Sequence, residues 1–234
     1  MKWDTALFRN LSLAALDGLN DYFETMEQQL ITIKESDRKR IHKDIKELEL
    51  NDEQKYAEWD IAMQKHTTTY GMLYTNFFRY SSVVLLFLVM DNWLHRLCLA
   101  VQDIKNSPNP VPNNLDGYKQ YLTAAQVSVD DRLWEVAHNL QKVRDCIVHT
   151  SGNIIRSRDE THLRAMAQKK IGIKISRRID RGDEEPLYLE DNMLMIQPDY
   201  CKSTVNKIKL LIEELCDKVQ LEKFDFKDLL PRKS

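Results

Sequence analysis

Glycine and proline are scarce, with six of each in 234 residues. An all-β protein full of tight turns needs more of both, so long helices are favoured. Cysteine is sparse too. Cys98, Cys146, Cys201 and Cys216 show no CxxC spacing, and all four fall in stretches with helical patterning. That pattern indicates reduced, packed thiols rather than a disulfide framework or a zinc site. Charge of one sign is missing as well. A formal net charge of -2 exerts no global pull toward nucleic acid or membrane, so any basic site has to be local. Long apolar runs are absent. The most apolar stretch, 82–90, sits between Arg79 and Asp91 and falls short of the ~20 residues that span a bilayer. Met1-Lys2-Trp3-Asp4 leads into a mixed amphipathic run, unlike the apolar core of a secretory leader. A cytoplasmic protein with no membrane contact is therefore expected.

What remains is a chain with 43% hydrophobic and 30% charged residues, long enough to bury a sizeable core. Leu7, Phe8, Leu11, Ala15, Leu19, Tyr22, Phe23, Met26, Leu30 and Ile33 recur every three or four residues, one face of a helix. Asp4 is its expected N-cap. Ser36 is expected to cap a second helix, whose apolar face continues through Ile41, Ile45, Tyr56, Trp59 and Met63 with a break near Asn51-Asp52. Residues 70–104 form the most hydrophobic helix. Apolar side chains occupy nearly its whole circumference, which predicts a central helix covered on every side. Three prolines within 106–114 make a loop, and a short helix is expected over 115–125. Asp130-Asp131 opens a further helix with Leu133, Val136, Leu140, Val143 and Ile147 on one side.

After Gly152 the pattern changes. Residues 162–168 read as a short helix. Ile171-Gly172-Ile173-Lys174-Ile175 alternates like a strand, Arg181-Gly182-Asp183 has turn chemistry, and 187–189 and 193–196 read as further strands. Pro198 fits the first turn of a last helix over 199–219. The expected fold is mainly α: a helical bundle of long helices with a small β-hairpin inserted before the C-terminal helix. The expected organisation is an N-terminal helical hairpin over 1–66, a helical domain over 67–220 and a charged tail over 221–234.

The stretch with most chemistry is Arg144-Asp145-Cys146-Ile147-Val148-His149-Thr150-Ser151-Gly152. Arginine offers a fixed fork of donors that matches phosphate. Histidine titrates near neutrality and moves protons in either direction. The pair has the means for metal-independent RNA cleavage. On an ideal helix Arg144 and His149 lie roughly 140° apart, so they do not share a face. They converge within one chain only if the helix loosens near Val148, and otherwise only across a two-fold axis between copies. Asp145 and His149, one turn apart, do share a face. Asp145 either holds the tautomer of the His149 ring or is a solvated helix residue. Arg132 with His138, and Arg156 with His162, have similar spacing, but Arg132 is followed by Leu133 and Arg156 falls in an expected loop; only Arg144 combines the polar neighbour, the aliphatic pair and the small-residue stop. The plainer reading of Arg144 and His149 is a cationic helix end facing the negative pole of the dipole.

This stretch resembles the R-polar-x3-H signature, with trailing glycine, of the HEPN superfamily. The segment from Arg79 to Cys98 is similar to that family's long helix, with Asp91 in the position of its acidic residue, and 171–219 is similar to its hairpin and last helix. The resemblance implies an α-helical ribonuclease of toxin–antitoxin or antiphage defence systems that acts as a homodimer, with RNA as substrate and an antitoxin or other protein as a further partner. It implies catalytic roles for Arg144, His149, Asp145 and Asp91. Some members only bind, so a non-catalytic module for RNA, a nucleotide or a protein is the alternative. Asp91 and His95 form another one-turn pair, for which a structural ion pair in the core is the competing account. The basic segment that follows the motif, with Arg156, Arg158, Arg177 and Arg178, is either a phosphate-tracking lip for RNA or a solvated surface. No metal site or cofactor is indicated.

Overall fold

The computed structural model describes residues 5–105, 107–176 and 191–219. The expected cap Asp4, the turn at Arg181–Asp183, the strand 187–189, Arg177, Arg178 and the charged tail lie outside them. The protein is mainly α, with seven α-helices among the described residues: α1 Thr5–Lys46, α2 Asp52–His66, α3 Thr75–Lys105, α4 Leu115–Ala124, α5 Asp131–Thr150, α6 Glu160–Gln168 and α7 Asp199–Lys218. Strands β1 Ile173–Ile175 and β2 Leu194–Ile196 pair antiparallel just before α7, with Ile173 opposite Ile196. Ile173, Leu194 and Ile196 are buried while Lys174 is exposed, the alternation that made the hairpin legible.

No second helix starts at Ser36; α1 runs unbroken to Lys46. The polar run there stays a solvated helix face, stapled by Asp37, which accepts from Arg40 at 3.2 Å and lies 2.9 Å from Nδ1 of His66. The chain breaks at Asn51. Its side chain accepts from the Gln54 amide at 2.9 Å, and the Gln54 side chain accepts from the Asn51 amide at 3.2 Å, a capping box that starts α2. Helix then continues for 54 residues, Asp52–Lys105, through a π-helical stretch Thr67–Tyr74 in which threonines predominate at the start. This helix is long and apolar enough to cross a membrane by length and composition, more than the run 82–90 suggested. Half of its most apolar window is buried within the protein. The other half corrects the expectation of cover on every side: Val83, Leu86, Met90, Leu94 and Leu97 are buried, whereas Leu85 and Leu88 are exposed.

Two compact units arise, each discontinuous in sequence. As far as they are described, unit 1 takes Met1–Asn20, Val83–Val143 and Cys201–Ser234, and unit 2 takes Asp21–Ser82 and Arg144–Tyr200. In unit 1, Phe8 packs edge-on to Trp93 with centroids 5.1 Å apart, and Leu211, Ile212 and Leu215 of α7 are fully buried. The buried stripe of α5 here is Trp134, Ala137, Leu140 and Val143, so Leu133 and Val136 sit at its half-buried edge. In unit 2, Arg79 grips Glu27 of α1 with two hydrogen bonds of 2.6 and 2.9 Å and donates a third, 3.0 Å, to the Ile196 carbonyl. One side chain of α3 thus ties α1 to β2. The four cysteines are free and buried; burial pushes the thiols of Cys98 and Cys216 up to about 12, which leaves them protonated and unreactive.

Asp37 yields a pH prediction. The hydrogen bond from Arg40, then that from His66, holds its carboxyl below the usual carboxylate range. Its stabilisation is present above the unfolded value near 4 and is lost as pH falls through the lowered folded value. Asp37→Asn should therefore remove stability at neutral pH and flatten the acid limb of helix loss followed by circular dichroism. Parallel acid curves for the two proteins would show that this contact contributes nothing.

Candidate functional site

Helix α5 delivers the motif to unit 2 and remains regular to Thr150. The loosening near Val148 that would bring Arg144 and His149 together in one chain does not occur, and the two diverge by the roughly 140° of a straight helix. Past Thr150 the backbone reverses: Ser151 has φ 54° and Gly152 φ 85°. The Gly152 amide donates back to the Cys146 carbonyl at 3.1 Å. The Thr150 hydroxyl sits 2.6 Å from that same carbonyl and 2.8 Å from the carbonyl of Asn153.

The stop is then sewn to the hairpin. Leu194 donates to the Gly152 carbonyl at 2.8 Å, Ile154 donates to the Asn192 carbonyl at 3.0 Å, and Asn153 pairs with Met193. Tyr80 of α3 lies across Gly152 and donates its hydroxyl to the Leu194 carbonyl. A Cβ on Gly152 would meet that hydroxyl oxygen at 2.2 Å and the ring carbon beside it at 2.7 Å. Glycine is required twice over, by its dihedral angle and by the close approach of Tyr80. Gly152→Ala should cost about 3 kcal/mol, combining left-handed strain with overpacking. Urea unfolding of Gly152→Ala, Tyr80→Ala and the double variant reads the two causes apart: relief of the clash makes the double variant less damaged than the sum. Full additivity would show that Tyr80 does not press on this position.

On the regular helix Asp145 keeps one face with the exposed His149, and Arg144 does not. The Asp145 carboxylate is 7% exposed; one oxygen accepts from Arg144 at 2.6 Å and the other from Arg158 at 2.8 Å. Of the two readings of Asp145, neither the solvated residue nor the His149 partner matches this geometry, since both oxygens are bound to arginines. Arg158, named for RNA, is the outer arm of this triad and is 78% exposed. Asp91 lies in unit 1 with Tyr118; burial, then the charge of Asp91, raises the Tyr118 hydroxyl to about 12. His95 sits 3.3 Å from the Pro112 carbonyl with its ring 5.9 Å from that of Tyr118.

His149 instead shares a cleft of about 450 Å3 with Arg156, and the cleft floor includes Asn76, Tyr80 and Asn153. Arg156 closes the 3₁₀ turn Ile154–Arg156 that follows the reversal. The sequence had paired Arg156 by spacing with His162; the fold places it with His149. Asn76, Tyr80 and Asn153 were missed as lining. Tyr80 stood in the segment likened to the family helix, but nothing local tied it to a glycine 72 positions later. Among the described residues no cluster of three or more His, Cys, Asp and Glu could hold a metal ion. Comparison with models of protein families, with curated proteins and with solved structures finds no match to this chain.

Proposed function

We propose that the protein is a metal-independent endoribonuclease of HEPN type, cytoplasmic and homodimeric, with a toxin–antitoxin or antiphage role that follows from the resemblance alone. The observation that carries this reading is the position of His149. It stands exposed on the last turn of α5, in a nucleotide-sized cleft with a cation, directly before the glycine stop of the R-D-x3-H sequence. His149 takes the proton of a ribose 2′-hydroxyl, the 2′ oxygen attacks phosphorus, and the bond to the 5′ oxygen breaks as that oxygen takes a proton from water, after which His149 returns its own proton to the solvent. A 2′,3′-cyclic phosphate and a 5′-hydroxyl result. Arg144 points along another face, so its part in this reaction is played toward a second copy across a two-fold axis. Exposed Val148 and Ile155, and Phe77 at 63% exposure, supply apolar surface beside His149 of the kind that interfaces cover.

The Arg144–Asp145–Arg158 triad favours the second reading, a non-catalytic RNA-, nucleotide- or protein-binding module, because it gives Arg144 a structural partner within the chain. Incubation of the protein with single-stranded RNA in EDTA decides between them. Cleavage by the wild type that disappears in His149→Ala supports the nuclease. No cleavage together with salt-sensitive RNA binding supports the module.

A further inference from the structure

The cleft around His149 differs in charge from two other clefts of the molecule. One, lined by Arg40, Lys65 and His66, also holds Asp37 and Asp44. Another, lined by Lys119 and His138, also holds Asp116. Among the described residues no carboxylate lines the His149 cleft, and the ionisable ones besides Tyr80 are His149 and Arg156. A cleft with cationic and neutral polar groups and no acid selects an anion.

Arg156 is suited to be the anchor. Its backbone is fixed: Ile154 is fully buried, the Asn153 side chain accepts from the Ile155 amide at 3.1 Å, and the Arg156 amide donates to the Asn153 carbonyl at 3.3 Å. Its side chain is exposed. Among the described residues its guanidinium makes no ion pair, whereas Arg79 and Arg164 are bound to Glu27 and Glu160, and Arg144 and Arg158 to Asp145. An unengaged planar fork on a rigid turn matches two phosphoryl oxygens at little ordering cost.

We propose that Arg156 holds a phosphoryl group against His149 within a single chain, so that each chain carries a phosphate site that does not depend on Arg144. For the identity of the substrate as RNA this rests on the nuclease reading; the anion site stands without it. Asn76, whose side-chain nitrogen donates to the Met195 sulfur at 3.2 Å, lines the same cleft with Asn153 and Tyr80.

The test is titration of inorganic phosphate into protein labelled with 15N-histidine, with the His149 ring signals as readout. Wild type and Arg132→Ala, which removes the same charge at a remote exposed position, should show the same saturable shift. Arg156→Ala should weaken phosphate by about 10- to 100-fold, the worth of a hydrogen bond to a charged group, and Arg156→Lys should recover part of it. Equal phosphate binding by Arg156→Ala and wild type overturns the assignment, as does a wild-type His149 signal that does not respond to phosphate. Thermal melts establish that Arg156→Ala is folded. RNA cleavage by the same proteins separates the two proposals. Phosphate held through Arg156 by a wild type that cuts no RNA sinks the nuclease and leaves this site standing. RNA cut equally well by wild type and Arg156→Ala, with phosphate binding unchanged, does the reverse.

Discussion

Under the nuclease reading, His149→Ala should slow RNA cleavage by about 10³-fold, the middle of the range for loss of a positioned acid or base. The effect should fall on chemistry rather than on folding. His149 is exposed, lines the cleft and stands on a turn held by other groups: the Gly152 amide, the Thr150 hydroxyl and the pairing of Asn153 with Met193. Substitutions at exposed positions of this kind stay within about 0.5 kcal/mol, and loss of a cation at a helix C-terminus adds at most about 1 kcal/mol. His149→Ala should therefore melt within a few degrees of the wild type while cleavage collapses. Binding of RNA should weaken much less than cleavage, because the arginines of the cleft and its surroundings remain. Gel-resolved cleavage of a labelled RNA, with filter binding of a fully 2′-O-methylated copy, measures both. Undiminished cleavage by His149→Ala removes His149 from the reaction. Binding and cleavage that fall by the same factor place it in recognition alone.

Most of the fold could be read from short-range pattern. The apolar spacing of α1, the three-proline loop before α4, the alternation in β1 and the proline ahead of α7 are each satisfied by local geometry. Ser36 misled because a serine followed by charges looks like a cap, whereas the exposed face of α1 accommodates the same residues and Asp37 turns them into a staple. The π-helical stretch at Thr67–Tyr74 was visible only as a weak helix former, since a π register depends on what the helix packs against. For α3, composition around the circumference says that many side chains are apolar and not which of them find neighbours. The site divides in the same way. The position of His149 on the last turn was local and legible. The company it keeps was not. Arg156 reaches its cleft through two successive positive φ values, one of them at a serine, and Tyr80 reaches it from α3. The spacing rule that linked Arg144 to His149 assumes a shared face, and a regular helix to Thr150 withholds it.

Asp145→Ala should destabilise the protein about as much as Gly152→Ala and far more than His149→Ala. The carboxylate is 7% exposed and bridges Arg144, whose side chain is 27% exposed, and Arg158 at 78%. The outer arm contributes little, about 0–1 kcal/mol for a pair so open to solvent. The inner arm matters more, because the substitution removes the carboxylate 2.6 Å from the Arg144 guanidinium, and breaking a buried pair from one side costs about 3–5 kcal/mol. With partial exposure of Arg144 the expected loss is about 3 kcal/mol, or about 6–12 °C in Tm for a chain of this size. Urea unfolding should show Asp145→Asn losing about half as much, since an amide oxygen still accepts from Arg144. It should also show Asp145→Ala combined with Arg144→Met losing less than the sum of the single changes, because the two side chains interact directly. A loss under 0.5 kcal/mol would mean that the triad holds nothing together. The same variants decide what Asp145 does for His149. Both carboxylate oxygens are occupied by arginines, so well below its melting point Asp145→Ala should keep the wild-type shape of the pH–rate profile on the limb set by His149. A displaced limb would place Asp145 on the imidazole and return it to the catalytic group.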